Sequence, residues 1–263
     1  MLSDIAIFLL LAMVIGFVSI ILFNNIALFS FLFIEYSLGT MHNPTEYPTI
    51  KLGHYIKNFW LECFYIMSKY YLLPLKWCDL TVKTSTNLTT NTVILLVHGY
   101  CRNQCDWLWL RKQLQDTQCP VFTINLQPKF ASIATIARDS LPKKIVEIKK
   151  LTNCSNIILI GHSMGGIVSS YYNEYLDKEK LIKAVITIGS PLHGTKVAIS
   201  GVGQNSKEMC PDTEFLQQLR ASASNNPSKY YHISSKFDNI IFPWRSALLD
   251  TTMATQQFVL PSA

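Results

Sequence analysis

Two kinds of apolar pattern divide the chain. Residues 5–23 are apolar apart from Gly16 and Ser19. As a helix such a run is about 28 Å long, close to the roughly 30 Å of a bilayer's hydrocarbon core, and so predicts a membrane-spanning segment. Asn24-Asn25 interrupts it and residues 26–34 are apolar again, which fits one span with a tail or a tight helical hairpin. Residues 35–49, with Gly39, Asn43-Pro44 and Pro48, read as a connecting loop. Over 50–71 the apolar positions Leu52, Ile56, Phe59, Trp60, Cys63, Met67, Tyr70 and Tyr71 fall on one helical face. Lys51, Lys57 and Lys69 beside Trp60 suit a helix lying in a membrane interface, and equally one that covers the rest of the protein.

Beyond a Thr/Asn-rich turn at 84–92 the pattern becomes a regular alternation. Continuous apolar runs at 93–97, 120–124, 157–160 and 184–188 predict strands, followed by shorter ones at 230–234 and 257–260. Helical spacing lies between them at 104–114 (with Trp107 and Trp109), 133–151 and 164–176. Strands apolar at every position, alternating with helices, predict an α/β fold with a parallel sheet covered on both faces. The predicted organisation is a membrane anchor and linker at 1–49, an amphipathic helix and connection at 50–90, and an α/β domain at 91–263.

The chemistry concentrates where one of these strands ends. Residues 157–160 run into Gly161-His162-Ser163-Met164-Gly165-Gly166, and a helical pattern follows. A Gly-x-Ser-x-Gly turn between strand and helix is the layout of a nucleophile elbow. The serine sits at the strained tip, so its flanking positions must be small. The helix N-terminus beneath Ser163 favours a developing oxyanion. Upstream, residues 93–97 lead into His98-Gly99-Tyr100, where such hydrolases place a second oxyanion N–H.

The blocks Val97-His98-Gly99-Tyr100, Gly161-His162-Ser163-Met164-Gly165-Gly166 and Ile186-Thr187-Ile188-Gly189-Ser190-Pro191-Leu192-His193-Gly194-Thr195 resemble, in that order, bacterial triacylglycerol lipases and GPI inositol-deacylase-like hydrolases. The similarity runs from about Asn91 to the C-terminus. It implies an α/β-hydrolase fold and acyl-ester hydrolysis by a Ser–Asp–His triad without a cofactor. Ser163 is then the nucleophile, the N–H groups of Tyr100 and Met164 form the oxyanion hole, and His98, Gly99, Gly161, His162 and Gly165 are supporting residues. Residues 192–227 correspond to a cap or lid, with a short helix at 214–219, and His193 to a structural or hinge position. Asp238, just past the strand at 230–234, resembles the acid that orients the base.

The base is the difficulty. The histidines are His42, His54, His98, His162, His193 and His232, and none follows Asp238. In this superfamily the histidine lies just past the last strand, where only Pro261-Ser262-Ala263 remain. The expectation is a chain cut short after that strand and nearly inactive, with His193 the first alternative base to test.

Charge and cysteines refine the setting. Residues 1–50 carry Asp4, Glu35 and Glu46 but no Lys or Arg, so 23 basic residues face 14 acidic ones beyond them. A basic domain beside a bilayer fits an anionic lipid surface. The first basic residues, Lys51 and Lys57, follow the apolar region and predict a cytoplasmic catalytic domain. Seven cysteines without framework spacing suit a reducing compartment. Cys101 and Cys105 lack a second pair, so no metal site is expected, and no motif points to nucleic acid. The expected partners are a lipid or acyl-ester substrate and the bilayer. The alternatives are a non-catalytic binding module of the same fold and a hydrolase of thioesters, amides or glycolipid esters.

Overall fold

The computed structural model describes residues 91–225, 229–236, 238, 240–249 and 256–260, and before them 5–9, 11–20, 22–23, 26, 30, 53, 56–57, 59–61 and 63–64. The loop at 35–49, most of 50–71, the turn before Asn91 and residues 261–263 lie outside these. Internal contacts divide the chain into Met1–Leu73 and Pro74–Ala263. In the first unit, residues 5–9, 11–20 and 22–23 are helical, with Ile7 and Phe8 63% and 69% exposed. Among the described residues no helix is long and apolar enough to cross a membrane.

The second unit is built on six parallel strands: β1 Thr92–Val97, β2 Val121–Ile124, β3 Asn156–His162, β4 Ile182–Ile188, β5 Lys229–Ser235 and β6 Gln256–Leu260. Their spatial order is β2-β1-β3-β4-β5-β6. The central strands β1 and β3 are largely apolar because both of their faces are covered. Val93, Leu95 and Val97 point into one cluster with Leu159 and Val185, while Ile94 and Leu96 point into another with Ile160 and Trp107. A one-residue slip of β1 would exchange the two faces.

The larger core lies under α2 (Ile133–Thr152), α3 (Met164–Tyr175) and α5 (Glu214–Asn225). In α2, Ile133, Ile136, Ala137, Leu141, Ile145 and Ile148 form a buried stripe, with Lys143 and Lys150 exposed. The Ser132 side chain caps its start by accepting from Thr135 N–H, and Lys149 and Lys150 lie in its last turn, where the helix dipole favours cations.

Three expected elements differ. The helix at 104–114 is a composite: a 3₁₀ turn Gln104–Trp107, α1 (Leu108–Gln113) and a second 3₁₀ turn Leu114–Thr117. Asn103 starts the tight turn by accepting from Cys105 N–H, and Gln118, in the left-handed region, ends it. β4 begins two residues earlier than expected, because the Asp177 carboxylate holds the Leu181 and Ile182 N–H groups at its entry. Residues 192–225, within the region 192–227 expected as a cap or lid, hold more regular structure than their composition implied. They contain a 3₁₀ turn Lys196–Ser200, α4 (Gln204–Glu208) and α5, which runs six residues beyond the expected 214–219. Leu216, Leu219 and Ala223, three and four residues apart, keep α5 on the core.

Candidate active site

The chain leaves β1 to one side for β2 and returns on the other side for β3, so the order reverses between β1 and β3. In open parallel sheets that reversal leaves a crevice beyond the strands' carboxyl ends. The turn after β1 carries His98, Gly99 and Tyr100, and the turn after β3 carries Ser163.

Ser163 has φ 53° and ψ −126°, a region that ordinary side chains avoid. Its environment fixes that shape. A Cβ on Gly161 would lie 2.4 Å from Gly165 O, and one on Gly165 only 2.2 Å from Val97 O and 2.6 Å from His98 O. The elbow is thus pressed against the end of β1 by backbone alone. Ser163 N–H donates to Ile188 O at the end of β4 (2.9 Å), and Ser163 O accepts from Gly166 N–H (3.0 Å). On its other side, a Cβ on Gly99 would lie 3.0 Å from Ser163 Cβ.

The two amides expected to bind an oxyanion are those of Met164, next to Ser163 in sequence, and of Tyr100, which follows the Gly99 that lies against Ser163. Neither donates to another described residue. Met164 opens α3, so its N–H is among those a helix leaves unpaired at its N-terminus.

His98 is a strut. Its Nε2 accepts from Leu126 N–H (2.9 Å) beyond β2, so its Nδ1 carries the proton and donates to Gly99 O (2.9 Å). Burial lowers its pKa and keeps it neutral, with the Gly99 carbonyl pulling the other way. It therefore ties the turn after β1 to the next strand. His162 is half-buried and meets the edge of the buried Trp107 ring at 6.3 Å.

Asp238 arrives from the far side of β4. Its Oδ1 accepts from Ile240 and Ile241 N–H (2.9 Å each), which leaves Oδ2 aimed at Gly189. A Cβ on Gly189 (φ +50°) would lie 2.9 Å from that oxygen. The end of β4 is thus shared, with Ser163 on Ile188 and Asp238 over Gly189. The loop behind Asp238 is braced by Thr195, whose hydroxyl donates to Ile240 O and accepts from Phe242 N–H. Gly189 and Thr195 were legible as residues of the third sequence block, but their contacts with the acid loop were not.

The later histidines are built in elsewhere. His193 is half-buried; its N–H donates to Ser246 O and its carbonyl accepts from Asp212 N–H, joining two loops. His232 lies inside β5, 1% exposed, with Nδ1 2.7 Å from Thr187 Oγ1 and its ring stacked on Tyr230. Burial pushes its pKa down to about 4. Among the described residues no group of three or more His, Cys, Asp or Glu is placed to hold a metal.

A parallel sheet in this order, with a strained serine turn at the reversal and an acid two strands away, is the layout of the α/β-hydrolase fold. Comparison with known proteins supports an α/β-hydrolase fold with lipase-like relatives. The sequence model of the PGAP1-like alpha/beta domain matches residues 122–241. A triacylglycerol lipase of Burkholderia plantarii is 28% identical over 124 residues, 44% of this chain and 34% of that protein. One from Pseudarthrobacter phenanthrenivorans is also 28% identical, over 43% of this chain and 37% of its own length. The chain thus spans little more than a third of these curated relatives. Among solved structures, the mature lipase BlEst2 of Bacillus licheniformis superposes with a TM-score of 0.54 at 18% identity, over 64% of this chain and 82% of that one. Lipase B of Aspergillus fumigatus gives 0.52 at 20% identity, over 64% and 44%.

Proposed function

We propose that this protein is a membrane-attached serine hydrolase of lipid or other acyl esters. Ser163 acts as nucleophile, the N–H groups of Tyr100 and Met164 as the oxyanion hole, and Asp238 as the acid that orients a base. The observation that carries the reading is the backbone of Ser163, a non-glycine residue forced to positive φ between two glycines that the end of β1 and the next helix leave no room to replace. Such strain persists where the surrounding structure imposes it, and it clusters at reactive sites. In the reaction Ser163 Oγ bonds to the ester carbonyl carbon and the carbonyl oxygen becomes an oxyanion held by the two amides. Collapse then expels the alcohol and leaves an acyl-serine for water to cleave. No cofactor enters this scheme.

A base must take the Ser163 proton, and none of the 25 residues given after Asp238 is a histidine. These residues alone are expected to turn over slowly, at the rate a nucleophile and oxyanion hole sustain without a triad histidine. The second reading is a binding module that keeps the fold without catalysis. Turnover of p-nitrophenyl esters of increasing acyl length separates the two. Hydrolysis abolished in Ser163→Ala supports the enzyme, and rates rising with acyl length support a lipase over a general esterase. Rates identical in protein and Ser163→Ala would leave only the binding module.

The bilayer attachment rests on the helical residues between 5 and 23, among which Ile7, Phe8, Met13 and Phe23 are largely exposed. Deleting residues 1–34 is expected to move most of the protein from the membrane fraction to the supernatant. Retention through a high-salt wash would assign the anchor to residues 50–71, and a soluble full-length chain would remove the anchor altogether. The basic flank after the apolar run supports a cytoplasmic catalytic domain.

A further inference from the structure

The side chains of the two oxyanion donors are held by one short segment. The Tyr100 hydroxyl donates to Val202 O (2.7 Å) and accepts from Val202 N–H (2.8 Å), so it occupies both backbone groups of one residue. Three residues on, Asn205 is fully buried. Its Nδ2 donates to Met164 Sδ (3.2 Å) and to Lys129 O (2.9 Å), and its Oδ1 accepts from Ser206 N–H (3.0 Å). Every polar hydrogen of that carboxamide is therefore used, and one of them goes to the donor next to Ser163.

The segment is anchored rather than loose. Gln204 and Asn205 N–H donate to Phe130 O and Ala131 O (2.9 and 3.1 Å). Gly203 has φ +96°, and a Cβ there would lie 2.6 Å from Phe130 O, so the turn needs glycine. The Tyr100 ring meets Phe130 edge-on at 6.2 Å. Residues 202–205 thus reach Tyr100 with one end and Met164 with the other, while their middle is fixed to the loop beyond β2.

We propose that residues 202–205 are a positioning strap that sets the spacing of the two oxyanion amides, with the Tyr100 hydroxyl and the Asn205 carboxamide as its two grips. This rests on the assignment of those amides to the oxyanion hole. The physical reason for such a strap is that donors stabilise a developing charge only if they are fixed in advance at hydrogen-bond distance from it. The turn after β1 and the start of α3 belong to different elements, and a shared tie makes their separation a property of one segment.

Tyr100→Phe and Met164→Leu each release one grip while keeping the donor's backbone and nearly its side-chain volume. In the full chain, both are expected to slow fluorophosphonate labelling of Ser163 by about 3- to 30-fold, less than the roughly 10²–10³ of losing an oxyanion donor outright. The slowing should be equal for short- and long-chain reagents, at temperatures where both variants are fully folded. A second readout does not depend on the nucleophile. In ¹⁵N-labelled protein, Tyr100→Phe should shift the amide resonance of Met164, and Met164→Leu that of Tyr100. Substitutions that shift only their own surroundings overturn the strap whatever the labelling does. Cross-shifts with wild-type labelling rates overturn its positioning role. Wild-type protein that takes no label counts against the ester-hydrolase reading, and the cross-shifts still decide the strap.

Discussion

Replacing Gly165 with alanine is expected to prevent folding of the catalytic unit. The added methyl would lie 2.2 Å from Val97 O and 2.6 Å from His98 O, less than any carbon–oxygen contact allows. Both oxygens are backbone, at the end of a strand hydrogen-bonded on each side, so no rotamer change relieves the clash. The elbow would have to lift off β1 and take Ser163 and the start of α3 with it. Overpacking a core commonly costs about 1–3 kcal/mol, and a clash with immovable backbone falls at or above the top of that range. Against a total stability of roughly 5–15 kcal/mol, most of the protein should be lost to aggregation or melt far below wild type. Gly161→Ala should behave alike, its methyl meeting Gly165 O and Gly166 N at 2.4 Å. Gly53→Ala is the control, with nothing within 4 Å of the added carbon. Circular dichroism melts of the three variants check this, and a Gly165→Ala protein as stable as wild type would mean that the elbow does not press on β1 as described.

Acid should destabilise the fold through His232. An unperturbed histidine titrates near 6.5, and burial inside β5 brings this one down to about 4. Its folded pKa is therefore below its unfolded one, so the unfolded chain takes up the proton first. The contribution to stability is present in full above about pH 6.5 and is lost as pH falls toward 4. A shift of this size corresponds to stability on the order of 3 kcal/mol. His98, also lowered by burial, acts in the same direction. Glu208 acts oppositely, because burial raises its carboxyl and its contribution is lost as pH rises instead. The difference between wild type and His232→Gln isolates the histidine. Wild type should lose melting temperature steeply between pH 6.5 and 4, and the variant much less. Parallel curves would show that His232 is not held neutral by the fold.

How much of this was legible in sequence depended on range. The strands β1 and β3 stand out because residues 93–97 and 157–160 are unbroken apolar runs, which follows from two covered faces. Ser163 stands out because its elbow is a local event, written in five consecutive residues. The composite helix after β1 was misread as regular because its break depends on one Asn103 side-chain bond, which periodicity does not register. The full length of α5 was missed because its buried Ala223 is a weak apolar signal among Ser and Asn. Asp238 could be placed after a strand, but its approach to Gly189 spans about fifty residues of chain. Asn205 carried no signal, since a buried asparagine reads like a surface one until its partners Met164 and Lys129 are known.

The claim on which the account turns is that Ser163 is the reactive nucleophile, and mass mapping of a covalent label tests it most directly. Folded full-length protein is incubated for hours with excess fluorophosphonate, then digested and sequenced by tandem mass spectrometry, alongside Ser163→Ala. The account predicts adduct on the Ser163 peptide, however slowly it accumulates, and none in the variant. A label on another residue, a label that survives Ser163→Ala, or folded protein that takes no label would contradict it.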